Sequence, residues 1–299
     1  MSLARQVLPG TTYMITRRCT QRQFLLTPTD KTNAILLYCL AMAAARYGVQ
    51  VHAYCFLSNH YHLICTDPRG VLPEFSRYFN EFTARALNAS YGRWEALWAS
   101  DGLSVVRLLA REDIVAKIAY TLANPVAAGL VLRGDRWPGL WSNPRLVDQP
   151  AIAVPRPTGF FRPKGPTPEW ASLQLVQAPG FGSTAELRAD VMAALRQAED
   201  KALDAHRGPD GQPRVLGAAA VLRQKPTDSP ASHEPRRELN PRIAARDQWK
   251  RVEALRRLKS FLEEYREAWR QFRDGVRTVL FPAGTYLLRV RHGVACAPP

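Results

Sequence analysis

Residues 49–66 read VQVHAYCFLSNHYHLICT. Val49 to Leu57 and His60 to Thr66 are two apolar, aromatic-rich runs of strand length, and the polar pair Ser58-Asn59 between them leaves room only for a tight turn. The stretch therefore predicts a β-hairpin. On a strand, side chains alternate with period two, so His60 and His62 leave one face about 7 Å apart along the backbone, while Tyr61 points to the other. Outward from the hairpin, Thr29-Asp30 is an N-cap for an apolar helix from Lys31 to Tyr47, stopped at Gly48. Before it, TTYMITRR (Thr11 to Arg18) alternates as a strand. After the hairpin come a helix from Leu72 to about Asn88, ended by Tyr91-Gly92, and a strand from Leu103 to Leu109. A further helix opens at Arg111-Glu112-Asp113, whose acidic residues suit the macrodipole. It is expected to end by Asn124-Pro125. The order strand, helix, strand, strand, helix, strand, helix predicts an α+β fold: a ferredoxin-like sandwich with an antiparallel sheet and one added, tyrosine-bearing helix.

Composition narrows the class of function. The 299 residues are 46% apolar and 22% charged, which is ordinary for a globular chain, but the net charge of +15 and pI near 10.1 are not. Residues 1–150 carry 16 basic against 10 acidic side chains, and the remainder 25 against 16, so the excess is spread over both halves. Such charge points to a polyanionic partner, nucleic acid or an anionic membrane. The opening MSLARQVLPGTTY has no apolar run of the signal-peptide kind, and the longest apolar stretch, Ala34 to Ala45, is short of the ~20 residues a bilayer requires. Five cysteines without a CxxC pair argue against a disulfide framework or thiolate zinc site. The expectation is a cytoplasmic, nucleoid-associated protein with no membrane partner.

Two sets of residues could carry chemistry. His60 and His62, converging on one side of a strand, can chelate a divalent cation; an HxH pair is also common by chance, one ring at the surface and the other satisfied locally. In AYTLANPVAAGLV, Tyr120 and Asn124 are four apart and share a helix face. Tyr120 could be a nucleophile, although a phenol with a pKa of about 10 needs a Lewis acid or a base beside it. It could equally be a packing residue, with Asn124 a simple pre-proline stop. Combined, two imidazoles and an amide oxygen make a three-ligand site suited to Mg2+ or Mn2+ beside a phosphate oxygen.

These residues carry a resemblance. LSNHYHL (57–63) resembles the histidine-hydrophobe-histidine motif of the HUH single-tyrosine transposases, the IS200-like family, and in particular the REP-associated tyrosine transposases. YTLANPVAAGLV (120–131) is similar to that family's tyrosine helix, and Trp137-Pro138 with Trp141-Ser142 to its tryptophan-proline element. TTYMITRRCTQRQFLL resembles the first strand and its basic turn. The likeness spans about residues 8–146. It implies a divalent metal, Mg2+ or Mn2+, held by His60, His62 and Asn124. It also implies that Tyr120 attacks single-stranded, hairpin-containing DNA to leave a 5′-phosphotyrosine and a free 3′-OH. Monomers and homodimers both fit it. Arg17, Arg18, Arg22 and Arg107 are the expected DNA contacts. The segment GRWEALWASDG (92–102) departs from the family pattern, lacking Gln or Arg after Trp98. The alternative is a domesticated, non-catalytic, sequence-specific DNA-binding protein on the same fold; a metallohydrolase using water at the two histidines is disfavoured, because no downstream D-H pair or HExxH completes its ligand set.

Beyond this region, PAIAVPRPTGFFRPKGPTP (150–168) predicts a linker or strap without regular structure, and KPTDSPASHEPRRELNP (225–241) a second. The expected division is a catalytic domain at 1–148, a proline-rich linker at 149–182 and a basic, helical C-terminal extension at 183–299. Within the extension, helices are predicted for Ser183 to Ala205 and Pro241 to Phe272, and a short strand for Tyr286 to Arg291. His206, His233 and His292 are isolated and not expected to be ligands.

Overall fold

The computed structural model describes residues 4–231 and 241–298; His233 and most of the second proline-rich stretch lie outside them. Strands β1 (Thr11–Arg18), β2 (Gln50–Leu57), β3 (His60–Asp67) and β4 (Ser104–Leu108) alternate with helices α1 (Asp30–Tyr47), α2 (Leu72–Tyr91) and α3 (Arg111–Ala127) in the predicted order. The sheet runs β2-β3-β1-β4 with antiparallel pairing throughout, the ferredoxin-like arrangement. A two-residue strand β7 (Ile243–Ala244) adds to the β4 edge in parallel.

Register decides which residues look at which helix. Phe56 pairs with Tyr61, and Tyr61 packs edge-on against Phe79 of α2 and Trp98. Cys55 pairs with His62, and Cys55 and Leu57 cluster instead with Val126 of α3, Val131 and Trp137. Helices α1 and α2 thus cover one face and α3 the other, which puts the histidines on the α3 side. The N-cap of α1 is as read: Thr29 Oγ1 accepts from Thr32 N, and Gly48 closes the helix at φ 67°.

Helix α3 does not stop at Asn124-Pro125 but runs to Ala127. Proline so close to the end costs one backbone bond only. Ala128 N still donates to Asn124 O, and Val126 is fully buried, so packing carries the last turn past it. Residues 149–182 do not run free. Ile152–Pro155 (β5) and Trp170–Leu173 (β6) form an antiparallel hairpin against α1, with Val154, Ala171 and Leu173 in the main core. That core continues into α4 (Thr184–Ala205) through Leu187, Val191 and Leu195, so residue 148 is not a break in packing.

α4 lies along α3, pinned at both ends. Arg111 at the start of α3 pairs with Glu186 and Asp190, each at 2.6 Å, and Arg133 just past its end pairs with Glu199 and Asp200. Beyond it come the short α5 (Ala218–Leu222) and the long α6 (Gln248–Arg273), capped by Asp247 rather than beginning at Pro241. Tyr286 to Arg291, expected as a strand, is instead in a helical turn, α7 (Leu287–His292), closed by Gly293 in the left-handed region. Six residues of mixed pattern cannot separate periods of two and 3.6. No helix among the described residues is long and apolar enough to cross a membrane.

Candidate active site

The hairpin turn Ser58-Asn59 is tied down from both sides. Cys19 N donates to Asn59 O and Leu26 N to Ser58 O, each at 2.8 Å. His62, the second histidine on β3, is buried at 4% exposure and sits directly opposite Thr16 of β1; its Nδ1 is 2.8 Å from Thr16 Oγ1. His60, half-buried, has Nδ1 2.7 Å from Asn59 Oδ1. The amide oxygen can only accept, so His60 Nδ1 carries the proton and Nε2 holds a lone pair. The Thr16 hydroxyl can accept from or donate to His62 Nδ1, so this bond orients the ring without choosing its tautomer. The two rings meet edge to face with centroids 4.9 Å apart.

His62 Nε2 is buried without any hydrogen-bond partner. A buried polar atom left so costs ~1–3 kcal/mol unless a ligand, ion or water satisfies it. Burial first, then the charges of His60, Arg18 and Lys117, push the His62 pKa well below the ordinary imidazole value. The ring is neutral at physiological pH, the state that a metal requires.

Tyr120 projects from α3 onto this pair. Its ring centroid is 5.4 Å from that of His62, in the same chain, at 77° between planes. It is 46% exposed, so it is not the core residue its helix position also allowed. Lys117, one turn earlier, holds Nζ 5.4 Å from the Tyr120 centroid. Asn124, one turn later on the same face, is buried. The helix is aimed by two indoles. Trp137 Nε1 donates to Phe56 O of β2 and Trp141 Nε1 to Leu122 O of α3, each at 2.8 Å. Gly134 is required between them: a Cβ there would lie 2.6 Å from Leu122 O and 2.9 Å from Trp141 Nε1.

Of the expected metal ligands, His60 and His62 lie ring to ring and the orphaned His62 Nε2 fits use as a donor, while Asn124 is buried one turn beyond Tyr120. The described residues contain no cluster of three His, Cys, Asp or Glu side chains that could hold a metal. The arginines separate. Arg18 pairs with His60 across β1 and β3 and shares the histidines' face. Arg22 lies in the turn after β1, its carbonyl accepting from Asn59 Nδ2. Arg17 pairs with Tyr61 and Arg107 with Tyr13, both on the opposite, α1/α2 face. Arg17 Nη2 is 3.4 Å from Ala99 O. Thr16, Asn59 and Lys117 belong to the site and escaped the sequence reading. Lys117, three residues before Tyr120, was findable from helical spacing; Thr16 needed the strand register.

No protein-family model matches the chain, and neither does any curated protein. Among solved structures, it is similar to a REP-associated tyrosine transposase bound to a REP hairpin, at 18% identity and TM-score 0.40, over 46% of this chain and 81% of that one. It is also similar to a candidate transposase from Deinococcus radiodurans R1, at 20% identity and TM-score 0.30, over 42% of this chain and 97% of that one.

Proposed function

We propose that this chain is a DNA transposase that cleaves and rejoins single-stranded, hairpin-containing DNA through a tyrosine-linked intermediate. The observation that carries the reading is the buried, partnerless His62 Nε2 beneath the exposed Tyr120 ring. The motif resemblance of LSNHYHL and YTLANPVAAGLV supports it. His60, His62 and Asn124 would hold Mg2+ or Mn2+, and a cation held there would supply Lewis-acid chemistry. Asn59 fixes the His60 tautomer that presents Nε2, and Thr16 orients the His62 ring through its Nδ1.

Tyr120 Oη attacks phosphorus and its proton passes to solvent. The P–O3′ bond breaks, the 3′-oxygen takes a proton to become the free 3′-OH, and the 5′-phosphate stays on the tyrosine. The bond count is conserved, so the reverse attack by a 3′-OH reseals the strand without a nucleotide cofactor. Lys117 places positive charge beside the phenolic ring, where negative charge develops as the proton leaves. Arg18 and Arg22 bring further positive charge to the strand's approach, while Arg17 and Arg107 act on the other face. The catalytic unit extends through α4, because the ion pairs that hold α3 come from it.

The test is incubation of the full chain with end-labelled hairpin-bearing single strand and Mn2+. A covalent adduct surviving denaturation is expected for the wild type and none for Tyr120→Phe or with chelator. Binding without any cleavage would favour the non-catalytic DNA-binding protein, and cleavage persisting in Tyr120→Phe would favour water as nucleophile.

A further inference from the structure

On the face of the sheet away from Tyr120, Arg5, Arg107 and Arg242 converge on a cavity of about 340 Å3. It lies between the N-terminal segment, the β1-β4-β7 edge and α6, with the buried Tyr13 in its wall. No carboxylate lines it, and none of the three arginines forms an ion pair among the described residues. Arg5 Nη2 donates to Leu103 O at 3.3 Å and Arg242 Nη1 to Ala4 O at 3.0 Å, which leaves the other guanidinium N–H groups of both free to bond elsewhere. The remaining wall is apolar, with Leu72, Val105 and Leu258.

Three arginines lining one cavity that no carboxylate lines suit an oxyanion with several acceptor oxygens, phosphate above all. Phosphate alone would leave most of the volume empty, whereas a phosphate carrying a flat, largely apolar ring would fill it; 340 Å3 is at the small end of ligand sites. We propose that this cavity is a nucleotide-binding site, the phosphate held by Arg5, Arg107 and Arg242 and the base against Tyr13 and Leu258. The same chemistry serves a free nucleotide or one nucleotide of a DNA strand. It stands apart from the Tyr120 chemistry, being on the opposite face of the sheet.

Isothermal titration of the full chain at low salt with 2′-deoxyadenosine 5′-monophosphate tests it. Saturable binding is expected, weakened at least tenfold in Arg242→Gln and in Arg5→Gln, and unchanged in Tyr120→Phe. Arg5 is at the exposed rim, so its variant remains informative if Arg242→Gln fails to fold. Deoxyadenosine, lacking the phosphate, is expected to bind at least tenfold more weakly. Competition by a 5′-phosphorylated single-stranded hexanucleotide assigns the occupant to a strand, and failure to compete assigns it to a free nucleotide. No binding at millimolar nucleotide, or binding equal in wild type and both arginine variants, overturns the proposal.

Discussion

Removing the Glu199 carboxylate measures how firmly α4 holds the tyrosine helix. Glu199 is 5% exposed on α4; its Oε1 accepts from Gly134 N at 2.7 Å and its Oε2 from Arg133 Nη1 at 3.2 Å. The two bonds are unequal. The bond from Gly134 is buried and charge-assisted, of a class that contributes ~1.5–3 kcal/mol, and its loss strands an N–H. Arg133 is 46% exposed and keeps Asp200 at 2.8 Å, so losing its bond to Glu199 costs no more than ~1 kcal/mol. Glu199→Ala is therefore expected to destabilise by about 3 kcal/mol. Glu199→Gln keeps an acceptor for Gly134 and is expected to cost about 1 kcal/mol. At ~2–4 °C per kcal/mol for a chain of this order of size, thermal midpoints followed by circular dichroism should fall by ~6–12 °C and ~2–4 °C. Equal losses in the two variants, or a fall below ~2 °C for alanine, would refute the ranking and with it the claim that this carboxylate clamps the end of α3.

Three further predictions come from single residues. Gly134→Ala forces a Cβ to 2.6 Å from Leu122 O, so it should break the Trp141–Leu122 bond and cost ~1–3 kcal/mol by overpacking, read as a lowered denaturation midpoint. His52 is buried with its ring nitrogens facing Val176 O and Thr66 Oγ1, and burial lowers its pKa to about 4. The unfolded chain takes up this proton near pH 6.5 and the folded one only near 4. Stability from this group is therefore full above pH 6.5 and falls by ~3 kcal/mol as pH drops to 4. The unfolding free energy of His52→Gln should lack that part of the slope, and identical pH profiles would count against it. Thr16→Val removes the partner of His62 Nδ1, and Mn2+ affinity by calorimetry should drop ~10–100-fold, with no change if Thr16 does not orient the ring.

Much of the fold was legible because its signals are local. The Ser58-Asn59 turn, the Thr29 cap and the Gly48 stop each act within a few residues, and together they imposed the element order. Which face an arginine occupies was not legible: Arg17 and Arg107 fell opposite the histidines because strand register, set by Thr16↔His62 pairing, decides it. The hairpin at Ile152–Pro155 and Trp170–Leu173 was hidden by flanking prolines, which are tolerated at strand ends where no ladder bond is needed. Spacing singled out His60, His62, Tyr120 and Asn124 as candidates and the motif resemblance gave them roles; the structure brings the Tyr120 ring to His62. Thr16 and Glu199 were not, since a partner 46 residues away and one 65 residues away leave no trace in local pattern.

If Tyr120 is the nucleophile, the DNA strand ends up covalently on its hydroxyl. Digesting the wild-type adduct with a nuclease and a protease, then mapping the nucleotide-bearing peptide by mass spectrometry, tests it most directly. A phosphotyrosyl-linked nucleotide is expected on the peptide containing Tyr120, formed only with divalent metal present. Attachment at any other tyrosine, or at His60 or His62, would contradict it.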